Sequence, residues 1–511
     1  MANPSLQIGN SNWAIKEDNL LGYSTAGTRF VPQPITMTRA SAGTRVNSSG
    51  LVETVELLGS ELITNGDFES GTSGWSAYYS GTLNNTGNAL NVVDAGAGGA
   101  RASTSITTVI GKTYKFVSDV LQVQSTNTVI AVSNAVNLDG AFINSTITTP
   151  TNGVTVYFTA TATTTFIGFK RGGGGVGVTN IYDNVSVKEY TANNLARVDY
   201  DGTASSLLVE PERINLITTS EDFDSYRVAS STVTPNSITA PDGTNSGILV
   251  TQGTNQLVLR ANNVVAPSTT YTFSGYFKSS GSVTQVALDI TDNGSTTFGL
   301  TSEWQRFSMT TESRGDGSPY HFVDVATNGI EGDTFYAWGL QLEEASYGTS
   351  YIPTDGSTVT RVQDQYSKTG ISNLINSEEG VLFLEASTFE NGADCRITLS
   401  DGTITNRVSI EWDILANTIK GFVGSDGNLV SPATYNQTDS NKIALKYKVN
   451  DCALWINGTE VSTDFSVSSL SGVNQLEFSN YGGTVPFEGK VKQLQVFKTA
   501  LTDPELIALT T

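Results

Sequence analysis

The sequence predicts an all-β protein built from several β-sandwiches, and three observations carry that expectation. The 511 residues are rich in Thr, Ser, Asn and Gly, with 13 Pro and 15% charged residues. β-Branched residues suit pleated sheets, while Gly and Asn supply turn conformations. Apolar–polar alternation recurs in short runs broken by turn signals about every 8–12 residues, the pattern of a sandwich. Finally, one module occurs twice. ELITNGDFESGTSGW (Glu61 to Trp75) and IYDNVSVKEY (Ile181 to Tyr190) return as INLITTSEDFDSY (Ile214 to Tyr226) and FYAWGLQLEE (Phe335 to Glu344). The offsets agree: Leu62 to Leu216 is 154, Phe68 to Phe223 is 155, Tyr114 to Tyr271 is 157 and Tyr182 to Tyr336 is 154.

Taken in order, the polar segment before Ile35 reads as an arm, with Trp13 and Phe30 as isolated anchors. ITMTRASAGTRVNSSGLVETV (Ile35 to Val55) reads as a hairpin turning at Ser48-Ser49-Gly50. Its continuation is LARVDYDGTASSLLVEPERINL (Leu195 to Leu216), so the first repeat sits inside a small connector. An insertion of this kind requires its ends to lie close together. Strands are expected at Lys112 to Val123, Gly153 to Ala162 and Thr164 to Gly172 in the first repeat. In the second they are expected at Thr269 to Ser279, Val283 to Asp292, Trp304 to Thr311 and Tyr320 to Thr327. Each repeat has room for about eight strands, which favours a jelly roll. Beyond Asp364 the strands become longer and more regular, and Asn457-Gly458 marks a hairpin. The one expected helix is terminal, with Thr502 as N-cap and Pro504 in its first turn. The implied domains are 1–59 (arm and first half of the connector), 60–191 (inserted jelly roll), 192–213 (second half of the connector), 214–354 (second jelly roll) and 355–511.

Composition excludes several functions. Net charge is 28 − 49 = −21, a field that repels nucleic-acid phosphates and anionic bilayers. A solvated acidic surface accounts for it; divalent cations at loop carboxylates are the alternative. Cys395 and Cys452 lie 57 residues apart with a single histidine in the chain, so a zinc site with four N/S ligands cannot be assembled. Both are expected in strands as free buried thiols, with a bridge as the alternative. No segment approaches the ~18 consecutive apolar residues of a membrane helix. MANPSLQIGNSNWAIKEDN lacks the apolar core of a secretory signal, so presence outside a cell is expected only as part of a released particle.

Three stretches resemble known families. NGDFESGTSGW and DNVSVKE make the repeats resemble the jelly-roll carbohydrate-binding modules of bacterial and phage proteins. EGVLFLEAS, KIALKYKVNDCALWING and FEGKVKQLQVFKTALTDPEL resemble concanavalin-like lectin and laminin-G sandwiches. The connector TRASAGTRVNSSGLVE … ARVDYDG … SLLVEPERINLI, followed by QLEEASYGTSYIPTDGSTVTRVQD, is similar to segments of phage tail and virion structural proteins. The expected fold is thus two jelly-roll sandwiches, the first inserted in a connector, followed by a concanavalin-like sandwich. The inserted repeat departs from the simpler arrangement and leaves open which module binds.

Candidate binding residues follow from how proteins hold sugars, with aromatic rings against apolar sugar faces and amides or carboxylates at the hydroxyls. GWSAYYSG places Trp75, Tyr78 and Tyr79 together; Trp75 is equally a residue that closes the sandwich. Tyr78 and Tyr79 point to opposite sides of a strand, so one of them is expected to be exposed. In the second repeat Trp304, Tyr320 and His321 are weaker candidates. Lectin-like glucanases carry Glu-x-Asp-x-x-Glu, whose outer carboxylates are nucleophile and acid. Glu411 and Asp413 match, but Ala416 stands where the acid belongs, and without it general acid catalysis worth ~10²–10⁴ is lost. Arg314-Gly315-Asp316 reads as a hairpin tip, and Arg171 followed by four glycines lacks the Lys-Ser/Thr of a phosphate loop.

The resemblance implies a non-enzymatic phage virion protein of the tail-fibre or appendage type, located on the particle. Its expected partners are other virion proteins, further copies of itself as a trimer, and host-surface glycan, with no nucleic acid and no membrane insertion. No cofactor is expected beyond a structural calcium. A head-surface decoration or purely architectural protein is the alternative, and a secreted polysaccharide hydrolase is disfavoured by the missing acid and signal.

Overall fold

Tyr114 and Tyr271 show in atomic terms what the repeat means. The Tyr114 hydroxyl accepts the Val109 N–H at 2.8 Å, and the Tyr271 hydroxyl accepts the Ala266 N–H at 2.9 Å. Both offsets are 157 residues. The computed structural model describes every residue except 1, 11–12, 17–18, 27–28, 97–98, 173–174, 229, 263–264, 291–293 and 316–321. Among the described residues the chain is β throughout, apart from one 3₁₀ turn (Asp224–Tyr226) and one terminal helix. It divides into two units, Glu56–Thr191 and the pair Met1–Val55 with Ala192–Thr511.

The Glu56–Thr191 unit is a jelly roll of two antiparallel sheets. One runs Thr151–Thr159, Thr113–Val123, Thr179–Thr191, Leu90–Asp94, Gly81–Asn85. The other runs Ile143–Ile147, Thr128–Ser133, Thr164–Arg171, Arg101–Thr107, Ser76–Tyr78. Leu57–Leu58 pairs with Tyr190–Thr191, so the ends of the module are cross-strand neighbours. Between the sheets lie Phe68, Phe116, Ile130, Phe169, Tyr182 and Val187, all but sealed from solvent. Phe169 stacks on Tyr182 with ring centroids 3.7 Å apart. The opening motif has a steric cause, because a Cβ on Gly66 would fall 1.9 Å from the Val185 carbonyl oxygen. Only glycine allows the chain to pass that strand.

The second module repeats this order. Gln305–Glu312, Thr270–Ser279, Thr334–Glu343, Gly247–Thr251 and Thr232–Ile238 form one sheet, and Thr296–Gly299, Gln285–Ile290, Phe322–Thr327 and Leu257–Asn262 the other. Position for position it matches the first module, without a counterpart of Ser76–Tyr78 among the described residues. Three of the four sequence landmarks share burial: Leu62 and Leu216 are half-buried, Phe68 and Phe223 are 0% exposed, and Tyr114 and Tyr271 are 2% exposed. The fourth slips. Tyr182 fills the core, whereas Phe335 does so in the second module and Tyr336 turns outward. A one-residue shift in a strand exchanges its faces.

The C-terminal sandwich is concanavalin-like and larger than its own sequence segment. Thr459–Asp464, Cys452–Ile456, Asn441–Lys448, Glu379–Thr388 and Gly489–Phe497 lie side by side. Facing them are Gly427–Val430, Ile419–Val423, Arg407–Trp412, Cys395–Ser400, Gln475–Glu477 and Gln365–Lys368. The segment before Ile35, expected as an arm, belongs to this sandwich. Leu6–Gly9 pairs with Gly489–Phe497, from Leu6 opposite Val496 to Gly9 opposite Gln493. Arg29–Thr38 pairs with Gln365–Lys368. Leu6, Ile8, Leu20, Ile35 and Met37 are fully buried among Leu384, Trp412 and Leu494. Burial of five apolar side chains is a strong driving force, worth ~1.5–3 kcal/mol for each fully buried one of this type.

The connector hairpin forms as Thr44–Val46 and Val52–Thr54. It joins Arg197–Asp201 through the Val46 N–H to Asp199 Oδ1 at 2.8 Å. Beneath it is a buried charge network. Asp364 receives Arg39 Nη1 at 2.7 Å and Arg197 Nη2, while Glu210 receives Arg197 Nη1 at 2.6 Å and Arg361 Nη1 at 2.9 Å. The Ser350 N–H and hydroxyl complete Glu210, each at 2.7 Å. Burial alone would raise the Glu210 pKa, but Arg361 and Arg197 hold it well below the carboxylate range. Asn457 and Gly458 both take positive φ at their hairpin turn (48° and 81°). Asp503–Thr510 is the terminal helix, where Thr502 donates its N–H to Glu505 at 3.0 Å. Cys395 and Cys452 are buried free thiols.

Candidate functional site

In the second sheet of the first module, alternate side chains face away from the core. Ala102, Ile130, Ile167 and Phe169 point inward, so their neighbours point outward. Cross-strand register then lines up Tyr78, Arg101, Lys170, Val129 and Thr146 in one row on the outer face. The loop after Thr128–Ser133 folds across this face and is tied down at three points. Ser103 Oγ donates to the Val136 carbonyl at 2.5 Å, Ser133 Oγ to the Asp139 carbonyl at 2.7 Å, and Arg101 Nη1 to the Asn137 carbonyl at 2.7 Å. Leu138, 0% exposed, pins the loop.

This brings Tyr79, Arg101, Asn137 and Asp139 together. Tyr79 Oη donates to Asp139 Oδ2 at 2.5 Å, and Asn137 Nδ2 donates to the same oxygen at 2.7 Å. Arg101 Nη1 pairs with Asp139 Oδ1 at 2.7 Å, and its Cζ lies 4.4 Å from the Tyr79 ring centroid. The hydrogen bond to Asp139 raises the Tyr79 hydroxyl pKa, and the same bond with Arg101 lowers that of Asp139. Burial and the Arg101 charge push the Lys170 ammonium down; its Nζ donates to Asn144 Oδ1. Tyr79 remains 53% exposed. Two residues here hold φ values that side chains rarely adopt, Tyr79 at 57° and Leu138 at 61°. Strained backbone of this kind concentrates at functional sites. The result is a preorganised surface with an aromatic ring, a carboxylate, a guanidinium and an amide, set to exchange hydrogen bonds with a polyol while its ring meets an apolar face.

The other candidates fare differently. Trp75 is 7% exposed, stacked on Phe169 at 5.8 Å and tilted against Phe68 at 5.5 Å; it closes the core and offers no platform. Tyr78 is half-buried as the cross-strand partner of Arg101. The strand ends at Tyr78, and the left-handed turn at Tyr79 removes the alternation that would set the two tyrosines on opposite sides. Trp304 is half-buried, donating Nε1 to the Thr239 carbonyl at 2.9 Å. Tyr320, His321, Asp316 and two of the glycines after Arg171 lie outside the described residues. Arg101, Asn137, Asp139 and Lys170 carry no sequence signal, since loop and strand meet only in the fold.

On the corresponding face of the second module Arg260 clamps Asp324 through two bonds of 2.7 and 2.6 Å, with Asp289 next in register. In the C-terminal sandwich, Arg396 Nε lies 2.8 Å from Glu411, and Lys420 pairs with Asp413. Burial pushes the Glu411 carboxyl up, but both carboxylates are occupied by structural cations.

No family model matches the chain, and no curated protein matches it. Among solved structures it is similar to the CBM40 of a Ruminococcus gnavus IT-sialidase bound to α2,6-sialyllactose, at 20% identity over 28% of this chain and 98% of that one, with a TM-score of 0.24. It is similar to the CBM22 tandem of Paenibacillus barcinonensis Xyn10C at 11% identity over 56% and 98%, with a TM-score of 0.20. Mouse laminin α1 domains LG4-5 are similar at 11% identity over 48% and 86%, with a TM-score of 0.20. Such scores say nothing about what this chain binds. What its own structure defines is a multi-sandwich β protein with a polar, aromatic cluster on one jelly-roll face.

Proposed function

We propose that this is a non-enzymatic virion structural protein of the phage fibre or appendage type, which holds host-surface glycan on the outer face of its inserted jelly roll. The cluster of Tyr79, Arg101, Asn137 and Asp139 carries the binding part of this reading. It combines a half-exposed ring with fixed donors and acceptors on a rigid sheet, at the cost of strained backbone at two residues. The connector's resemblance to virion proteins supports the structural role. Ala416, at the position of the motif's catalytic acid after Glu411 and Asp413, supports a protein that binds without cleaving. Single sites of this size bind weakly, and display on a homotrimer would raise effective concentration.

A glycan array probed with the full chain tests the reading. Wild type is expected to retain a subset of glycans and Tyr79→Ala to lose them with the fold intact by circular dichroism. Retention by neither protein, or equally by both, would overturn the assignment to this face. Release of reducing sugar from host polysaccharide would overturn the non-enzymatic reading.

A further inference from the structure

A cavity of about 410 Å³ opens where the connector, the second jelly roll and the C-terminal sandwich meet. Its volume falls in the range of small-molecule sites, roughly 300–1,000 Å³. Arg45, Asp199, Tyr276, Arg306, Phe389 and Lys490 line it. Two of its three cations are already neutralised. Arg45 holds Glu53 through Nε at 2.9 Å and Nη2 at 2.8 Å, and Lys490 holds Asp199 at 2.7 Å. Glu210 on the wall is engaged by Arg197 and Arg361.

Arg306 differs. It donates only to neutral oxygens, the Thr349 carbonyl at 2.7 Å and Ser274 Oγ at 3.0 Å, and has no ion pair among the described residues. Its Nε is buried with no hydrogen-bond partner. Its guanidinium lies 5.5 Å from the Tyr276 ring centroid, and Phe389 is held in place by stacking on Tyr347 at 5.4 Å. Nη1 and Nη2 each carry a second N–H beyond these bonds, and a guanidinium with only neutral partners matches a carboxylate. Two aromatic walls match the apolar face of a sugar ring.

We infer that this cavity binds a monosaccharide-sized acidic sugar, with Arg306 taking the carboxylate and Tyr276 and Phe389 flanking the ring. The site is separate from the Tyr79 cluster and does not depend on it. Calorimetric titration of the full chain with D-glucuronate, D-glucose and acetate tests it. Glucuronate is expected to saturate one site, glucose to give no binding, and acetate to bind at least about ten-fold more weakly. Arg306→Gln is expected to weaken glucuronate binding about ten- to hundred-fold, the range for a charged hydrogen bond, and Tyr79→Ala to leave it unchanged. Should Arg306→Gln fail to fold, Arg306→Lys serves, since it keeps the charge but not the planar fork. No glucuronate binding by folded wild type, or binding indifferent to Arg306, overturns the proposal. Glucose or acetate binding as well as glucuronate overturns the acidic-sugar assignment.

Discussion

Glu61 and Asn215 do one job with different chemistry. Glu61 Oε1 accepts the N–H groups of Ile63 and Val187, both at 2.9 Å, and Asn215 Oδ1 accepts those of Ile217 and Leu342, both at 3.1 Å. In each module one side-chain oxygen staples the opening segment to the closing strand. Removing it leaves those N–H groups unpaired, and an unsatisfied buried donor costs about 1–3 kcal/mol. Glu61→Ala should accelerate hydrogen exchange at Val187, and Asn215→Ala at Leu342, each confined to its own module. Exchange unchanged at both amides would show that the staple contributes nothing.

Binding at the Tyr79 cluster should resist acid. Tyr79 and Arg101 lower the Asp139 pKa, so the carboxylate stays ionised through the ordinary range near ~4. A depressed pKa gives a contribution that is present above the ordinary value and lost as pH falls through the folded one. Glycan retention measured from pH 7 downward should therefore hold until below ~4. Asp139→Asn should abolish both the retention and its pH dependence.

Asp364 anchors the connector. Asp364→Ala would strip the Arg39 guanidinium of its carboxylate and leave Arg197 with Glu210 alone, both cations being fully buried, and breaking such a network costs about 3–5 kcal/mol. The depressed Glu210 pKa sets the sign with pH, because its stabilisation is complete above the carboxylate range and lost on acidification. Thermal melts of the variant should fall well below wild type at pH 7, and wild type should itself melt lower in strong acid as Glu210 protonates. Equal melting temperatures at pH 7 would refute the assignment.

Cys395 and Cys452 should be chemically silent. Burial raises both thiol pKa values, which suppresses the reactive thiolate. A thiol-reactive dye at pH 8 should label neither in the native protein and both after unfolding in denaturant. Rapid native labelling would contradict their burial.

Legibility in the sequence tracked how local each feature is. The Asn457-Gly458 turn, the Thr502 cap and the landmarks Phe68 and Phe223 need only neighbouring residues or a module's own pattern. Leu6 and Ile8 could not be placed, because their partners Val496 and Leu494 lie nearly the whole chain away. The polar residues around them resemble an arm until those partners are known. The site divides the same way. Tyr79 stands out as an aromatic beside glycines, whereas Asp139 and Arg101 acquire meaning only when the loop crosses the sheet. Tyr182 and Tyr336 show the limit of pattern matching, since a shift of one residue preserves the letters and reverses the face.

The pairing of Leu6–Gly9 with Gly489–Phe497 also sets a clock. Leu6 emerges from the ribosome 496 − 6 = 490 residues before Val496. At ~5–20 residues per second that is a wait of roughly 25–100 s. Both jelly rolls can close within that interval from their own residues. The last sandwich cannot, so its first strands spend that interval as an uncovered edge, the state in which a β protein is most exposed to wrong partners. Closure of this sandwich is therefore decided late, by how quickly Gly489–Phe497 finds Leu6–Gly9 once it has emerged.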